Sequence, residues 1–393
     1  MTRSSQKHGL WSQHDSEWRD PAQIVSQWMG ANDVDPRILR YRVRGDWWDV
    51  LAASRMTLLV TREYEHLLMA MGAGAAGPDL SYLQLPHPSG LAVDHVRGIV
   101  HVASTRNPNQ IFDLMPVVSM KNSSDEKRAH RNERPLVPVR SRFLPGGLYL
   151  HDLGVVGGKL YANAVGENSV VRLFDDGRYE RVWWPRVIEA AAQPFAQNYL
   201  QLNSIAAGTT IKNSYFSASA EKPAPLRPGH KDFPVDTRGV IFSGRTREPV
   251  VRGLPRPHSA RLHKKRLWVN NSGYGELCVV RGQNFEVVAR LPGWTRGLCF
   301  HQDIAFVGTS RVIPRFRQYA PGLDVDRSMC GIHALDTRTG EVLGSLTWPE
   351  GNQVFAVELV ESSFASGLPF ALNAGKRRLA RAQKLFYSFE TQA

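Results

Sequence analysis

One phrase returns six times along this chain, and that repetition leaves few folds open. It stands as "LPHPSGLAV" (85–93), "LYLHDLGVV" (148–156), "LQLNSIAAG" (200–208), "LPRPHSARL" (254–262), "PGWTRGLCF" (292–300) and "GNQVFAVEL" (351–359). Each copy is a turn-forming stretch, one variable residue, a small residue and an apolar run. Beside the copies stand Leu85-Pro86, Leu144-Pro145, Trp184-Pro185, Leu254-Pro255, Leu291-Pro292 and Trp348-Pro349, with 37 to 70 residues between successive prolines. Proline cannot donate to a β-ladder, so each of these ends a strand. Repetition at such a period marks an array of similar supersecondary units.

A second strand ending in small polar residues follows each of the first five phrases: "IVHVAST" (99–105), "LYANAVG" (160–166), "YFSASA" (215–220), "LWVNNSG" (267–273) and "IAFVGTS" (304–310). Third and fourth strands show as hairpins around Asp176-Gly177 and Thr339-Gly340. The sixth copy is out of order, with "TLLVT" (57–61) near the start of the chain and "FAVEL" (355–359) near its end. The pattern predicts an all-β fold, a six-bladed β-propeller with four antiparallel strands per blade. One blade is built from one C-terminal and three N-terminal strands, which closes the ring and hides sheet edges that would otherwise pair with other chains.

The predicted organisation is a partly helical N-terminal extension over 1–50, a propeller over 51–362 and a C-terminal tail over 363–393. Apolar residues recur at helical spacing in 16–30 and 47–54, and "KRRLARAQKLFYSF" (376–389) reads as a basic amphipathic helix. The N-terminus lacks the apolar core of a secretory signal, and no apolar run reaches the length of a membrane helix. Three cysteines without C-x-x-C spacing suggest reduced thiols, so a cytoplasmic location is expected.

The formal net charge is +13. Its Arg and Lys residues are scattered, with no RNA-binding aromatic signature or recognition helix, which argues against nucleic acid and leaves small anions as partners. "GAGAAG" (72–77) spells the dinucleotide fingerprint, but Pro78 and a strand follow where a helix is needed. It reads as a hairpin loop, and no nucleotide cofactor is expected.

In a propeller the first strand of each blade lines the central channel. The variable residue of each phrase therefore faces the axis at one rim: Ser89, His151, Asn203, His258, Arg296 and Phe355. His87, two residues before Ser89, falls on the same side by strand alternation, and Asp152 and Ser259 neighbour two of the histidines. Three readings stand. His87, His151 and His258 could hold a divalent metal; imidazoles suit zinc or iron, whereas calcium prefers oxygen donors. Arg296 with the imidazoles could instead grip a carboxylate or phosphate without metal. Or the ring binds channel waters and only keeps the blades in register.

Long connections (186–199, 221–238 and 311–329) support a site on that rim, the third carrying Arg311, Arg315, Arg317 and Tyr319. The expected catalytic set is His151, His258 and Arg296, with Asn203, Asp152, Ser259, Arg311, Arg315 and Tyr319 binding substrate. The expected function is a metal-dependent lyase or hydrolase acting on a small anionic metabolite or peptide. The alternative is a non-catalytic propeller that binds a ligand or protein partner through the same face.

The motifs "LHDL", "LNSI", "RPHSARLHKKRLWVNNSGYGEL", "LPGWTRGLCFHQDIAFVGTSR" and "CGIHALDTRTGEVLGSL" resemble a bacterial conserved-hypothetical family, a domain of unknown function, over roughly residues 50–360. Some members of that family carry tetratricopeptide repeats. The resemblance implies the fold and no activity. Where that family has an acidic residue in the final inner strand, this chain has "QVFAVEL". Six-bladed propellers also include lactonases, lyases and a histidine-held zinc enzyme, but none of their motifs is present, so that likeness is architectural only.

Overall fold

The computed structural model describes residues 34–74, 77–106, 109–120, 134–372 and 389–391. Six antiparallel sheets are arranged as blades of a propeller. Blade 1 runs Pro88–Asp94, Ile99–Ser104, Asn109–Met120 and Leu136–Leu144; blade 2 runs Leu150–Val156, Lys159–Ala164, Ser169–Leu173 and Tyr179–Trp183. Blade 3 is Leu202–Ala206, Tyr215–Ala218, Gly239–Ser243 and Pro249–Leu254, and blade 4 is Pro257–His263, Arg266–Asn271, Glu276–Arg281 and Asn284–Arg290. Blade 5 comprises Trp294–His301, Ile304–Ser310, Gly331–Asp336 and Val342–Thr347. All six prolines of the repeat fall between the outer strand of one blade and the inner strand of the next.

Blade 6 is the split one. Its inner strand Ala356–Glu361 pairs with Met56–Arg62 from Met56↔Glu361 to Thr61↔Ala356, and Leu67–Gly74 and Gly77–Gln84 complete it. Of "GAGAAG", Gly72, Ala73 and Gly74 end one of these last two strands and Gly77 begins the other, with Gly74 paired to Gly77. Thr61 seals the seam to blade 1, because its hydroxyl donates to the Ser89 carbonyl at 2.6 Å and accepts from the Ala356 amide at 2.9 Å.

Four strands per blade is a minimum rather than the rule. Arg42–Gly45 adds to the outer edge of blade 5, Phe370–Ala371 to that of blade 6, and Phe389–Thr391 pairs with Asn109–Met120 in blade 1. These additions cover edges that would otherwise offer free amides and carbonyls. Helix α1 (Pro36–Leu39) is capped by Asp35, and α2 (Trp47–Ser54) ends at Arg55 in the left-handed region. Trp47 and Leu51 of α2 are fully buried in the largest apolar cluster, with Trp47 edge-on to Phe306 at 5.9 Å. The helix is thus a wedge between blades 5 and 6. The helical expectation for 16–30 and all but Phe389 of the 376–389 stretch lie outside the described residues.

The small residue of the phrase has a packing reason. A Cβ on Gly90 would stand 2.6 Å from the Leu153 amide nitrogen and 2.7 Å from the Asp152 Cα, so adjacent inner strands meet backbone to backbone there. The cysteines are free and buried. Among the described residues no helix is long and apolar enough to cross a membrane.

Candidate functional site

The six axial residues form a ring of buried side chains. Two positions earlier in the phrase a second tier stands above it: His87, Tyr149, Gln201, Arg256, Trp294 and Gln353. Tyr149, Gln201, Arg256, Trp294 and Gln353 line one cavity of about 740 Å³, together with His151, His258 and Arg296 from the deeper ring. His87, Tyr149, Gln201 and Arg256 have φ of 45°, 52°, 50° and 56°, in the left-handed region that non-glycine residues seldom adopt. Backbone held there costs on the order of 1–3 kcal/mol per residue and collects at functional sites.

Arg296 lies under the floor of this cavity, 4% exposed, over the face of Phe355 at 3.2 Å from the ring centre. Its Nη2 donates to His151 Nε2 at 2.9 Å. Gln353, its amide turned so that nitrogen faces Glu63 Oε2 and oxygen faces Arg296 Nη1, bridges the two at 3.0 Å each. Glu63 in turn accepts from the Thr105 hydroxyl at 2.5 Å. A guanidinium only donates, so His151 Nε2 must be the lone-pair nitrogen. Its Nδ1 lies 3.3 Å from the Asn203 carbonyl.

His258 has the same tautomer. Its Nδ1 faces the Arg256 carbonyl at 2.8 Å and the Ser272 hydroxyl at 3.0 Å, while that hydroxyl donates to the Thr295 carbonyl at 2.6 Å. Both neighbours accept, so Nδ1 carries the proton and Nε2 does not. The rings of His151 and His258 are 5.9 Å apart. Burial and then the field of Arg296 hold both imidazoles neutral, well below their usual range. Burial also lowers Arg256 and Arg296 to about 10, which leaves both charged at neutral pH.

Arg256, also 4% exposed, donates to Gln201 Oε1 at 2.9 Å and lies over Tyr319 at 4.2 Å. Among the described residues neither Arg256 nor Arg296 makes an ion pair with a carboxylate. Among the described residues six cationic side chains line the cavity, namely Arg106, Arg227, Lys231, Arg256, Arg296 and Arg317, against the single carboxylate of Glu63. All three long connections reach it, through Asn198, through Arg227 and Lys231, and through Phe316, Arg317 and Tyr319.

Other expected site residues sit elsewhere. His87 packs against His66 at 4.3 Å between ring centres, and its amide donates to His66 Nδ1 at 3.2 Å; it does not line the cavity. Asp152 is buried in an ion pair with Arg261 at 2.8 Å, and Ser259 accepts from the Gly297 amide at 2.9 Å, so both tie blades together instead of facing a ligand. Asn203 donates to Ser219 Oγ and the Pro257 carbonyl, each at 2.9 Å, and is outside the cavity lining. Arg311 donates to the Pro349 carbonyl at 2.5 Å and does not line the cavity either. Arg315 belongs to the 3-10 turn Pro314–Tyr319. Tyr319 lines the cavity as expected.

The donor set does not fit a divalent cation. Among the described residues no three His, Cys, Asp or Glu side chains gather as metal ligands. The Nε2 lone pair of His151, which a metal would need, is taken by a guanidinium whose charge repels cations.

Fold and cavity together define a six-bladed β-propeller with an electropositive pocket on its axis. The chain belongs to the domain of unknown function family DUF4915, whose model matches residues 45–366. No curated protein matches the sequence. Among solved structures it is similar to a chain of a nidogen/laminin complex, with TM-score 0.52 and 9% identity, covering 78% of this chain and 99% of that one. It is also similar to a gluconolactonase from Xanthomonas campestris, with TM-score 0.44 and 12% identity, covering 75% and 86% respectively. At these identities the likeness is one of fold alone.

Proposed function

We propose that the axial cavity binds a small anionic metabolite or peptide, and that His258 acts on it as a base in a lyase reaction. The observation that carries this reading is the pair of buried guanidiniums, Arg256 and Arg296, without carboxylate partners. A buried cation lacking a counter-ion is costly, and a carboxylate or phosphate entering the cavity offsets that cost with charge-assisted hydrogen bonds. His258 Nε2 then accepts a proton from a carbon or water beside the anion. Arg296, already fixed by Phe355, Gln353 and His151, stabilises the negative charge that develops. Among the described residues no serine, threonine or cysteine lines the cavity, which disfavours a covalent hydrolytic route. The free buried thiols support a reducing, cytoplasmic location.

A specific observation favours the non-catalytic alternative: imidazoles held so far below their usual range are weak bases. Titration calorimetry with phosphate and small carboxylates, on the parent and on Arg256→Met and Arg296→Met, tests the binding. The parent binds and both variants lose at least about tenfold in affinity; a parent that binds no anion overturns the reading. Turnover by the parent that His258→Asn abolishes, with binding retained, separates lyase from binding protein.

A further inference from the structure

Three of the described side chains lining the cavity carry a buried polar atom that has no partner among the described residues: Trp294 Nε1, His258 Nε2 and Arg256 Nε. Among the described residues twenty buried polar side-chain atoms lack a partner, and these three are the ones that share this cavity, where a ligand can answer them. Trp294 and Arg256 can only donate. His258 Nε2 can only accept, because Nδ1 holds the proton between two acceptors. The indole and imidazole stand edge to face, with ring centres 5.2 Å apart. The two rings that carry donor and acceptor are therefore neighbours.

Few groups answer both. A carbonyl or carboxylate oxygen satisfies the indole and leaves the imidazole lone pair bare. An ammonium satisfies the imidazole and is repelled by Arg256 and Arg296. A hydroxyl accepts from one and donates to the other. We infer that the ligand is a hydroxyl-bearing anion, its acid group held by Arg256 and Arg296 and its hydroxyl set between Trp294 Nε1 and His258 Nε2. This rests on the anion-binding reading above and narrows it to hydroxy acids and hydroxyl-bearing phosphates. It also gives His258 a role, since a hydroxyl on its lone pair is positioned to lose its proton there.

The test uses probe pairs that differ by one hydroxyl: glycolate with acetate, malate with succinate, and glycerol phosphate with propyl phosphate. Calorimetric titration of the full chain gives the affinity ratio within each pair. The hydroxylated member binds at least about tenfold more tightly in one pair or more, since a site built around a hydroxyl leaves its own polar atoms bare against the analogue that lacks it. Which pair responds separates carboxylate from phosphate. Trp294→Phe, which keeps a ring and removes the N–H, brings that ratio toward one and leaves the affinity of the deoxy member within about twofold. Equal affinities in every pair overturn the hydroxyl inference alone, and show that water satisfies the orphaned atoms. A ratio unchanged in Trp294→Phe overturns the placement. Binding of no probe overturns this inference together with the anion-binding reading.

Discussion

Arg296 of blade 5 donates to Nε2 of His151 of blade 2, on the opposite side of the ring, at 2.9 Å. The bond crosses the axis, and it makes a positive charge the immediate neighbour of an imidazole. Protonating His151 breaks it and sets two cations against each other in a buried site.

The two axial histidines should therefore not titrate near 6.5. Nitrogen-15 spectra of histidine-labelled protein should show both as Nδ1–H neutral tautomers from pH 8 down to well below 6.5. A bound anion, by offsetting the charge of Arg296, raises both. Titration of either near 6.5 in the free protein contradicts this arrangement.

Thr61 makes two hydrogen bonds across the seam of the ring, to the Ser89 carbonyl and from the Ala356 amide. Thr61→Val keeps shape and volume but strands both buried groups, a cost of about 3 kcal/mol. Denaturant unfolding should show that loss, and Thr61→Ser should recover most of it. Equal stability of parent and Thr61→Val would remove the seam from the account of closure.

Arg261 of blade 4 joins Asp152 of blade 2, and its Nε lies 3.9 Å from Glu358 of blade 6. Burial raises Glu358 to about 7, against the pull of Arg261. An unfolded glutamate releases its proton near 4.5, so between there and 7 the native state holds a proton that the unfolded chain has lost. The stability this group contributes is complete below 4.5 and is lost as pH rises through 7. Glu358→Gln should thus weaken less than the parent between pH 5 and pH 8 in urea titrations. Parallel curves for the two would mean that Glu358 is ionised throughout.

Gly90 backs onto the inner strand of blade 2, where a methyl group meets main chain that cannot swing aside. Gly90→Ala should destabilise by about 2–3 kcal/mol, within the range of overpacked cores. Gly74→Ala is the control for a glycine of ordinary backbone in open space, since nothing lies near its Cβ. A fully stable Gly90→Ala would mean that the inner strands slide apart easily.

The ring was legible because its signals are local. Proline marks where one blade stops, and period-two alternation marks which residue of the next strand faces inward. The same alternation that placed His87 on the axial side also reaches Tyr149, Gln201, Arg256, Trp294 and Gln353, and there the site extends beyond the ring of six. Asp152 and Ser259 were misplaced for a different reason. Five inner-strand pairings carry a register shift beside the axial residue, such as that between His258 and Arg261. A bulge turns the next side chain between the blades. Only the small residues of the phrase hint at it. The added edge strands are two to four residues long, too short for any periodicity to show.

The split blade also sets a timetable. Glu63 enters the cavity from the N-terminal part of the propeller, and Gln353, which links it to Arg296, from the C-terminal part. The pocket is therefore complete only once synthesis has passed Gln353. A product stopped before Gln353, even one with five complete blades, lacks both the seam and the bridge between Glu63 and Arg296.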